Sequence, residues 1–185
     1  MPRSSQIHYR TFSSAETKRH GTRLARTLCL RKHALVITLS GELGSGKTTF
    51  TQGFAAGLGI KRCITSPTFV LMQRYALKKH SFAPLDSKTS GFKNKGKKKD
   101  SSSFGRYSSM RGENLTGFKN FYHIDCYRIK KAEEFSKFGL KQILENSENV
   151  VLIEWPERIK KTLPRGFMTI AFRHGKKENE RLISF

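Results

Sequence analysis

The chain has 185 residues, a length typical of one domain with its own buried core, and its net charge of +22 favours polyanionic partners such as RNA, DNA or nucleotides. Three widely spaced cysteines (Cys29, Cys63 and Cys126) form neither a disulfide framework nor a paired-cysteine zinc motif. The N-terminus has no apolar signal core and no apolar run reaches the roughly 18 residues of a membrane span, so we expect a cytoplasmic protein without a membrane partner.

The N-terminal region predicts a strand and then a helix. Residues 7–12 alternate weakly, as a short strand does. Ser13 followed by Glu16 has the spacing of a helix capping box. A stripe of apolar and small residues at helical spacing should then face the core: Thr17, Gly21, Leu24 and Leu28.

Residues 36–48 contain the most informative motif in the chain. They read VITLSGELGSGKT, which satisfies the phosphate-binding P-loop pattern G-x-x-x-x-G-K-[ST]. Residues 36–39 lead in as a buried strand, and Phe50, Phe54 and Leu58 recur on one face of a following helix. A strand before the loop and a helix after it are the context that a true phosphate-binding loop requires.

The P-loop predicts how a nucleotide would be held. Glycines allow successive backbone N–H groups to point at an anion, and the helix N-terminus adds partial positive charge. Lys47 would neutralise the β and γ phosphates, and the Thr48 hydroxyl would bind Mg²⁺. The predicted nucleotide-binding residues from this loop are Glu42, Leu43, Gly44, Ser45, Gly46, Lys47, Thr48 and Thr49.

The remaining pattern predicts an α/β fold of the P-loop NTPase type, a three-layer sandwich with a mainly parallel central sheet and a C-terminal hairpin. The expected strands cover 68–75, 121–125, 150–155, 168–172 and 181–185, and two short helices should meet at Gly139 within 131–146. Cys126 has the character of a core residue.

Residues 78–119 interrupt this single predicted domain. They hold eleven basic residues against three acidic ones, a net charge of 11 − 3 = +8, and they show no sustained helical or strand period. We interpret the segment as a basic, flexible insertion. It is either an arm that contacts RNA or a tolerated, solvated loop.

Two carboxylates end predicted strands and are candidates for catalysis. Asp125 closes FYHID, and Glu154 closes VVLIE at the place of a Walker B acid. Each could instead be a helix cap or a surface acid. Ser66, Pro67 and Thr68 lie where nucleotide switches sense the γ phosphate, or else they form a plain turn. His123 shares a strand face with Asp125 and is a secondary candidate.

The motifs GELGSGKTTF, SPTF, HIDCYR, EEF…FGL and IEWPE follow one another in an order that resembles the TsaE (YjeE) family, the small bacterial ATPases of tRNA threonylcarbamoyladenosine (t6A) synthesis. The resemblance covers most of residues 7–76 and 120–185. It implies a Mg²⁺-dependent ATPase, weak alone, that is stimulated by TsaB and TsaD homologues. In that family TsaB–TsaD transfers threonylcarbamoyl to A37 of tRNA, and ATP hydrolysis by TsaE resets the complex.

The resemblance also assigns roles to residues of this chain. Lys47, Asp125 and Glu154 would be catalytic, with Asp125 positioning or activating the attacking water. Thr48 and Glu154 would hold the metal, and Trp155 would lie beside the nucleotide. Residues 66–68 would act as a switch. Family members usually have a short connection where this chain has the basic insertion, and the charge is more basic than expected for the family, so direct tRNA contact stays open.

Two other classes of function are compatible with the P-loop. A small-molecule or nucleotide kinase would use Asp125 as a base, but its only candidate lid is the lysine-rich insertion, and lysine lacks the planar fork of arginine. A basic RNA-binding module with a nucleotide-stabilised core would show little turnover and steeply salt-dependent binding. A GTPase is disfavoured because the guanine-reading N-K-x-D motif is absent.

Overall fold

The computed structural model describes residues 8–29, 31–67, 70–77, 117–130, 134–135 and 138–185. Within these ranges the strands are β1 (His8–Thr11), β2 (Leu35–Gly41), β3 (Met72–Ala76), β4 (Asn120–Asp125), β5 (Asn149–Glu154), β6 (Met168–His174) and β7 (Arg181–Ser184). The helices are α1 (Ser14–Arg26), α2 (Lys47–Gly57) and α3 (Leu140–Glu145), and two 3₁₀ turns cover Pro156–Arg158 and Lys160–Thr162.

The strands form one mixed sheet in the order β1-β7-β6-β2-β5-β4-β3. The central pairs β6–β2, β2–β5 and β5–β4 are parallel, whereas β3 at one edge and β7–β1 at the other pair antiparallel with their neighbours. The predicted α/β fold with a mainly parallel centre and a C-terminal hairpin is therefore confirmed.

The sheet has an apolar core on each face. On one face, alternate residues of β2 such as Ile37 and Leu39 pack with α1 and α2, including Phe50 and Phe54. On the other face, Val36 packs with residues of α3 and the 3₁₀ region. Because both faces are covered, β5 is buried along its whole length, as its apolar run indicates.

Helices α1 and α2 approach each other closely through glycines. A Cβ added at Gly53 would lie 2.0 Å from the carbonyl oxygen of Lys18, and one at Gly21 would lie 2.3 Å from that of Phe50. The predicted capping box also forms, because the Ser13 hydroxyl accepts from the Glu16 amide at 3.2 Å. The Glu16 carboxylate accepts from Phe12, one residue earlier than the motif predicts. The close packing of α1 against α2 holds α2 in place over the sheet, and with it the first turn of α2.

Two predicted elements differ in extent. Residues 68–69 lie outside the described ranges, and β3 begins only at Met72, so the prediction of a strand from residue 68 is wrong for Val70 and Leu71. The amides of both residues donate to the Pro67 carbonyl, and Leu71 has a φ of 63°. The sequence of this turn alternates as a strand does, although its backbone is not a strand. Gly139, with a φ of 69°, precedes α3, so the predicted helix after Gly139 is confirmed, whereas most residues of the predicted helix before it lie outside the described ranges.

The basic insertion falls mostly on residues 78–116, which lie outside the described ranges. Its last predicted residues do not: Phe118 is 1% exposed and belongs to the core, and the Leu77 amide donates to the Lys119 carbonyl. The main core therefore resumes at Phe118, before the predicted boundary at residue 119, although β4 begins only at Asn120. None of the helices within the described ranges has the length and apolar character needed to cross a membrane.

Candidate nucleotide-binding site

Three parallel strands bring the predicted site residues to one edge of the sheet. β2 ends at Gly41, β4 at Asp125 and β5 at Glu154. Asp125 lies directly across from Glu154 in the register of β4 and β5, and Leu39 lies across from Glu154 on the other side. The carboxyl ends of parallel strands are where ligands bind in α/β sheets, so both acids lie at the expected place.

The loop from β2 to α2 has the backbone that its glycines permit. Gly41, Gly44 and Gly46 have φ values of 138°, 72° and 99°, which L side chains rarely adopt. Gly46 caps α2, and no side chain caps that helix end. The first amides of α2 are thus left to an acceptor outside the helix, which is the arrangement that binds an anion.

Lys47, the first residue of α2, is 4% exposed. Its Nζ donates to the carbonyls of Gly41 at 2.8 Å and Glu42 at 2.7 Å, and it lies 4.0 Å from the centroid of the Trp155 ring. Burial lowers the pKa of Lys47, and the charges of Glu154 and Asp125 oppose that shift. The lysine is therefore held inside its own loop, and the charges of the two predicted catalytic carboxylates act on it.

Glu154, only 2% exposed, is the centre of a buried hydrogen-bond network. Its Oε2 accepts from the Thr48 hydroxyl at 3.0 Å. Its Oε1 lies 3.2 Å from Thr51 Oγ1 and 2.9 Å from His123 Nε2. A carboxylate buried with hydrogen-bond donors on both oxygens is held in one orientation.

Asp125 links the predicted switch loop to the strand end. The Ser66 hydroxyl donates to its Oδ2, and the Tyr127 amide donates to its Oδ1 at 2.9 Å. Movement of Ser66 would therefore change the hydrogen bonding of the acid. Of the predicted switch residues, Pro67 is buried and Thr68 lies outside the described residues.

A cavity of about 320 Å³ joins these groups. It is lined by Leu43, Gly44, Gly46, Lys47, Thr48, Thr49, Ser66, Asp125, Tyr127, Glu154 and Trp155. Two of the predicted nucleotide-binding residues do not line it. Glu42 contributes its carbonyl to Lys47, and Ser45 is buried, its hydroxyl without a hydrogen-bond partner within the described part of the chain.

The sequence did not predict roles for Thr51 and Tyr127. Thr51 lies one helical turn after Lys47 and is fully buried. A polar residue on the apolar face of the helix is the sequence feature that could have indicated its role. The Tyr127 ring lies 5.1 Å from that of Trp155, and the two aromatic rings form one wall of the cavity. Nothing in the local pattern around Tyr127 indicates this pairing.

The oxygen donors suit Mg²⁺. The Thr48 hydroxyl and a Glu154 carboxylate oxygen are 3.0 Å apart, and Mg²⁺ prefers one or two such protein oxygens together with phosphate and water. Within the described ranges no group of three histidine, cysteine, aspartate or glutamate side chains has the geometry of a protein-only metal site. The residues present therefore fit a metal that is held jointly with a nucleotide.

A larger cavity, about 570 Å³, lies away from this edge beside α3. Its lining includes Phe135, Leu140, Leu144 and Thr162. Size alone favours it as a ligand site, but it contains neither the glycine loop nor either strand-end acid. The chemistry therefore favours the smaller cavity at the P-loop.

Comparison with known proteins identifies one family of similar proteins. A sequence model of a family described as "Threonylcarbamoyl adenosine biosynthesis protein TsaE" matches residues 11–87 and 89–183. The chain is 30% identical to the tRNA threonylcarbamoyladenosine biosynthesis protein TsaE of Bacillus subtilis over 181 residues, 97% of this chain and 85% of the relative. It is 31% identical to the TsaE protein of Treponema pallidum over 161 residues, 87% of each chain. The crystal structure of Bacillus subtilis YdiB matches with a TM-score of 0.60 and 26% identity, covering 100% of this chain and 87% of that one.

Proposed function

Because this chain belongs to the TsaE family of threonylcarbamoyl adenosine biosynthesis proteins, we propose that it is a Mg²⁺-dependent ATPase of tRNA modification. It binds ATP at the P-loop and hydrolyses it slowly alone. Homologues of TsaB and TsaD stimulate hydrolysis, and hydrolysis in turn allows their complex to modify tRNA repeatedly. The role in t6A biosynthesis comes from the family, whereas the ATPase and its coupling are our proposal.

One observation carries the proposal: Lys47, Thr48, Asp125 and Glu154 converge on a single cavity at the N-terminus of α2. Lysine, hydroxyl and two carboxylates at the end of a glycine loop are the set that phosphoryl transfer needs. The adenine preference rests on the family and on the missing guanine motif.

The residues have distinct roles in the proposed reaction. Lys47 Nζ would exchange the carbonyls of Gly41 and Glu42 for phosphate oxygens, a change that keeps its hydrogen bonds and gains a charge partner. Thr48 and Glu154 would hold Mg²⁺, which supplies neutralisation of the charge that develops on the phosphates.

Asp125 would position the attacking water and accept its proton. The water oxygen attacks the γ phosphorus, the bond to the β–γ bridging oxygen breaks, and ADP and phosphate are the products. Ser66 donates to Asp125, so a movement of the 66–68 loop would alter the acid directly. This contact supports the proposed switch, through which a partner protein could control the rate.

The net charge of +22 supports a location near tRNA, whether the contact is direct or made through the partner complex. This charge also supports association with acidic partner surfaces. Binding to tRNA and binding to an acidic protein differ in their salt dependence. Each contact with an RNA phosphate makes the affinity fall more steeply as the salt concentration rises.

The experiment that tests the proposal is ATP hydrolysis by the purified protein across a Mg²⁺ titration, with Lys47→Ala beside it. Hydrolysis should require Mg²⁺ and fall about 100-fold or more in Lys47→Ala. Lys61→Ala, a change at an exposed lysine after the same helix, should keep wild-type turnover. Wild-type turnover in Lys47→Ala, or phosphate transfer to a small acceptor, would reject the ATPase assignment.

A further inference from the structure

We propose that His123 and Thr51 are positioning residues that clamp one oxygen of Glu154, so that its other oxygen faces Thr48 and the phosphate site. This inference rests on the proposed function, in which Glu154 lies on the Mg²⁺ side of the nucleotide. His123 and Thr51 do not line the nucleotide cavity. They act through Glu154 and do not touch the substrate.

The division of contacts on Glu154 carries the inference. Both His123 Nε2, at 2.9 Å, and Thr51 Oγ1, at 3.2 Å, lie against Oε1. Thr48, at 3.0 Å, lies against Oε2. One carboxylate oxygen is thus directed at the protein interior and the other at the residue that would share the metal. Rotation of the carboxylate would break contacts at both oxygens at once.

The hydrogen bonding of His123 selects one tautomer. The side chain is 0% exposed, and its Nδ1 has no hydrogen-bond partner within the described part of the chain. A proton on Nε2 gives Glu154 a donor and leaves Nδ1 as a bare acceptor. A proton on Nδ1 would instead bury an unpaired N–H. It would also leave the lone pairs of His123 Nε2 and Glu154 Oε1 facing each other at 2.9 Å, so this tautomer costs more free energy. The geometry therefore assigns Nε2–H as the donor.

Both clamp residues lie on rigid elements. His123 is on β4, paired with Leu152 of β5, and its ring stacks on Phe121 with an interplanar angle of 12°. Thr51 is on α2 and fully buried, and its single hydroxyl proton is shared between the Lys47 carbonyl at 3.0 Å and Glu154 Oε1 at 3.2 Å. A catalytic carboxylate is held most precisely when its supports are fixed by packing, as these are.

The first test is independent of nucleotide. Nitrogen NMR of the six histidine rings, with His123→Gln to assign the signal, reports the tautomer of His123 in protein purified without nucleotide. The clamp predicts an Nε2–H tautomer whose ring proton exchanges slowly with water. An Nδ1–H tautomer, or a ring proton that exchanges as fast as those of exposed histidines, would overturn it.

The second test separates positioning from folding. His123→Gln keeps a donor at the position of His123 Nε2, whereas His123→Leu removes it. At the second contact, Thr51→Ser keeps the hydroxyl and Thr51→Val removes it. In nucleotide-binding titrations, the Leu and Val variants should need about tenfold more Mg²⁺ for half-maximal effect. The Gln and Ser variants should stay near wild type. Nucleotide binding in EDTA should be unchanged in all four, because Lys47 and the loop amides are untouched.

Two results would overturn the clamp: wild-type Mg²⁺ dependence in both Leu and Val variants, or the same loss in the Gln and Ser variants as in their partners. Thr51→Val is nearly isosteric and keeps the test decisive should His123→Leu not fold. Failure of the proposed function gives a different pattern, in which the wild-type protein itself shows no Mg²⁺-dependent nucleotide binding while the ring spectra still report on the clamp.

Discussion

The ammonium of Lys47 lies 4.0 Å from the centroid of the Trp155 ring. Trp155 has a φ of 58°, in the left-handed region that non-glycine residues rarely adopt, and directly follows the strand-end acid Glu154. A cation over an indole face is worth about 0.5–2 kcal/mol. Backbone strain is often found at functional sites, and here it brings the indole to the lysine that phosphate would attract.

Trp155 should report nucleotide binding by fluorescence. It is the chain's only tryptophan, and phosphate would draw the Lys47 ammonium away from its ring, so emission should change when ATP is added. Titration of ATP at fixed protein gives the measurement. Trp155→Phe should bind ATP in calorimetry without any such signal. Unchanged emission at saturating ATP, with binding shown by calorimetry, would mean that Lys47 does not leave the ring.

Glu154→Gln should bind ATP but hydrolyse it poorly. The change keeps the size of the side chain and removes the negative charge that Mg²⁺ would need, so we expect turnover to fall about 100-fold and the Mg²⁺ requirement to rise. Steady-state kinetics at several Mg²⁺ concentrations measure both effects. Glu145→Gln, at an exposed acid of α3, is the matched control. An unchanged Mg²⁺ dependence would remove Glu154 from the metal site.

Cys126 should resist thiol reagents that modify the other two cysteines. It is fully buried, whereas Cys29 and Cys63 are exposed. Burial, reinforced by Asp125 and Glu157, raises the pKa of Cys126 from 9.0 to about 12. A disulfide exchange reagent at pH 8 should therefore modify two thiols in the folded protein and all three in denaturant. Rapid reaction of three thiols under native conditions would contradict this burial.

The same pKa shift predicts how stability depends on pH. Below pH 9 the Cys126 thiol is protonated in both the folded and unfolded states, so its contribution is fully present. Between pH 9 and 12 the unfolded state loses the proton that the folded state keeps, and the free energy of unfolding should fall. In denaturant unfolding, the free energy of unfolding of Cys126→Ala should fall less steeply over this pH range than that of the wild type. The lowered pKa of Lys47 also affects stability, but it affects both proteins equally and cancels in the comparison. Equal slopes for the two proteins would contradict the shift.

Removal of the basic insertion should leave the sheet folded if the cut respects Phe118. The Leu77 amide donates to the Lys119 carbonyl at 2.8 Å, so the two flanks already meet. Replacing residues 79–116 with a short Gly-Ser linker should retain cooperative unfolding and ATP binding. Adding Phe118→Ala to that variant should cost about 3–5 kcal/mol of stability, since Phe118 is 1% exposed. Loss of folding in the first variant would place the segment in the core.

The P-loop, its strand and its helix were predictable because their signals are local. Glycine spacing, an apolar run and a helical stripe each depend on neighbours within a turn or a strand. The contact between Thr51 and Glu154 was not predictable in this way, since the residues are 103 positions apart and meet only through the order of strands in the sheet. The same applies to β6, whose parallel place beside β2 follows from tertiary packing and not from its hairpin pattern.

Two boundary errors have physical causes. Val70 and Leu71 alternate with their neighbours as strand residues do, yet their amides close a turn on the Pro67 carbonyl. Phe118 lies within the predicted insertion at 78–119, but it is buried in the main core. Periodicity is read from a few neighbouring residues, and in both places the structure depends on contacts that periodicity does not describe.

The central claim is that ATP hydrolysis at this site drives repeated tRNA modification. The most direct measurement is t6A formation by TsaB and TsaD homologues over many turnovers, with ATP hydrolysis followed in the same mixture, for the wild-type protein and Glu154→Gln. We predict that the partners raise wild-type ATP hydrolysis and that modification exceeds one turnover only with the wild-type protein. Hydrolysis indifferent to the partners, or equal multiple turnover with Glu154→Gln, would contradict the account.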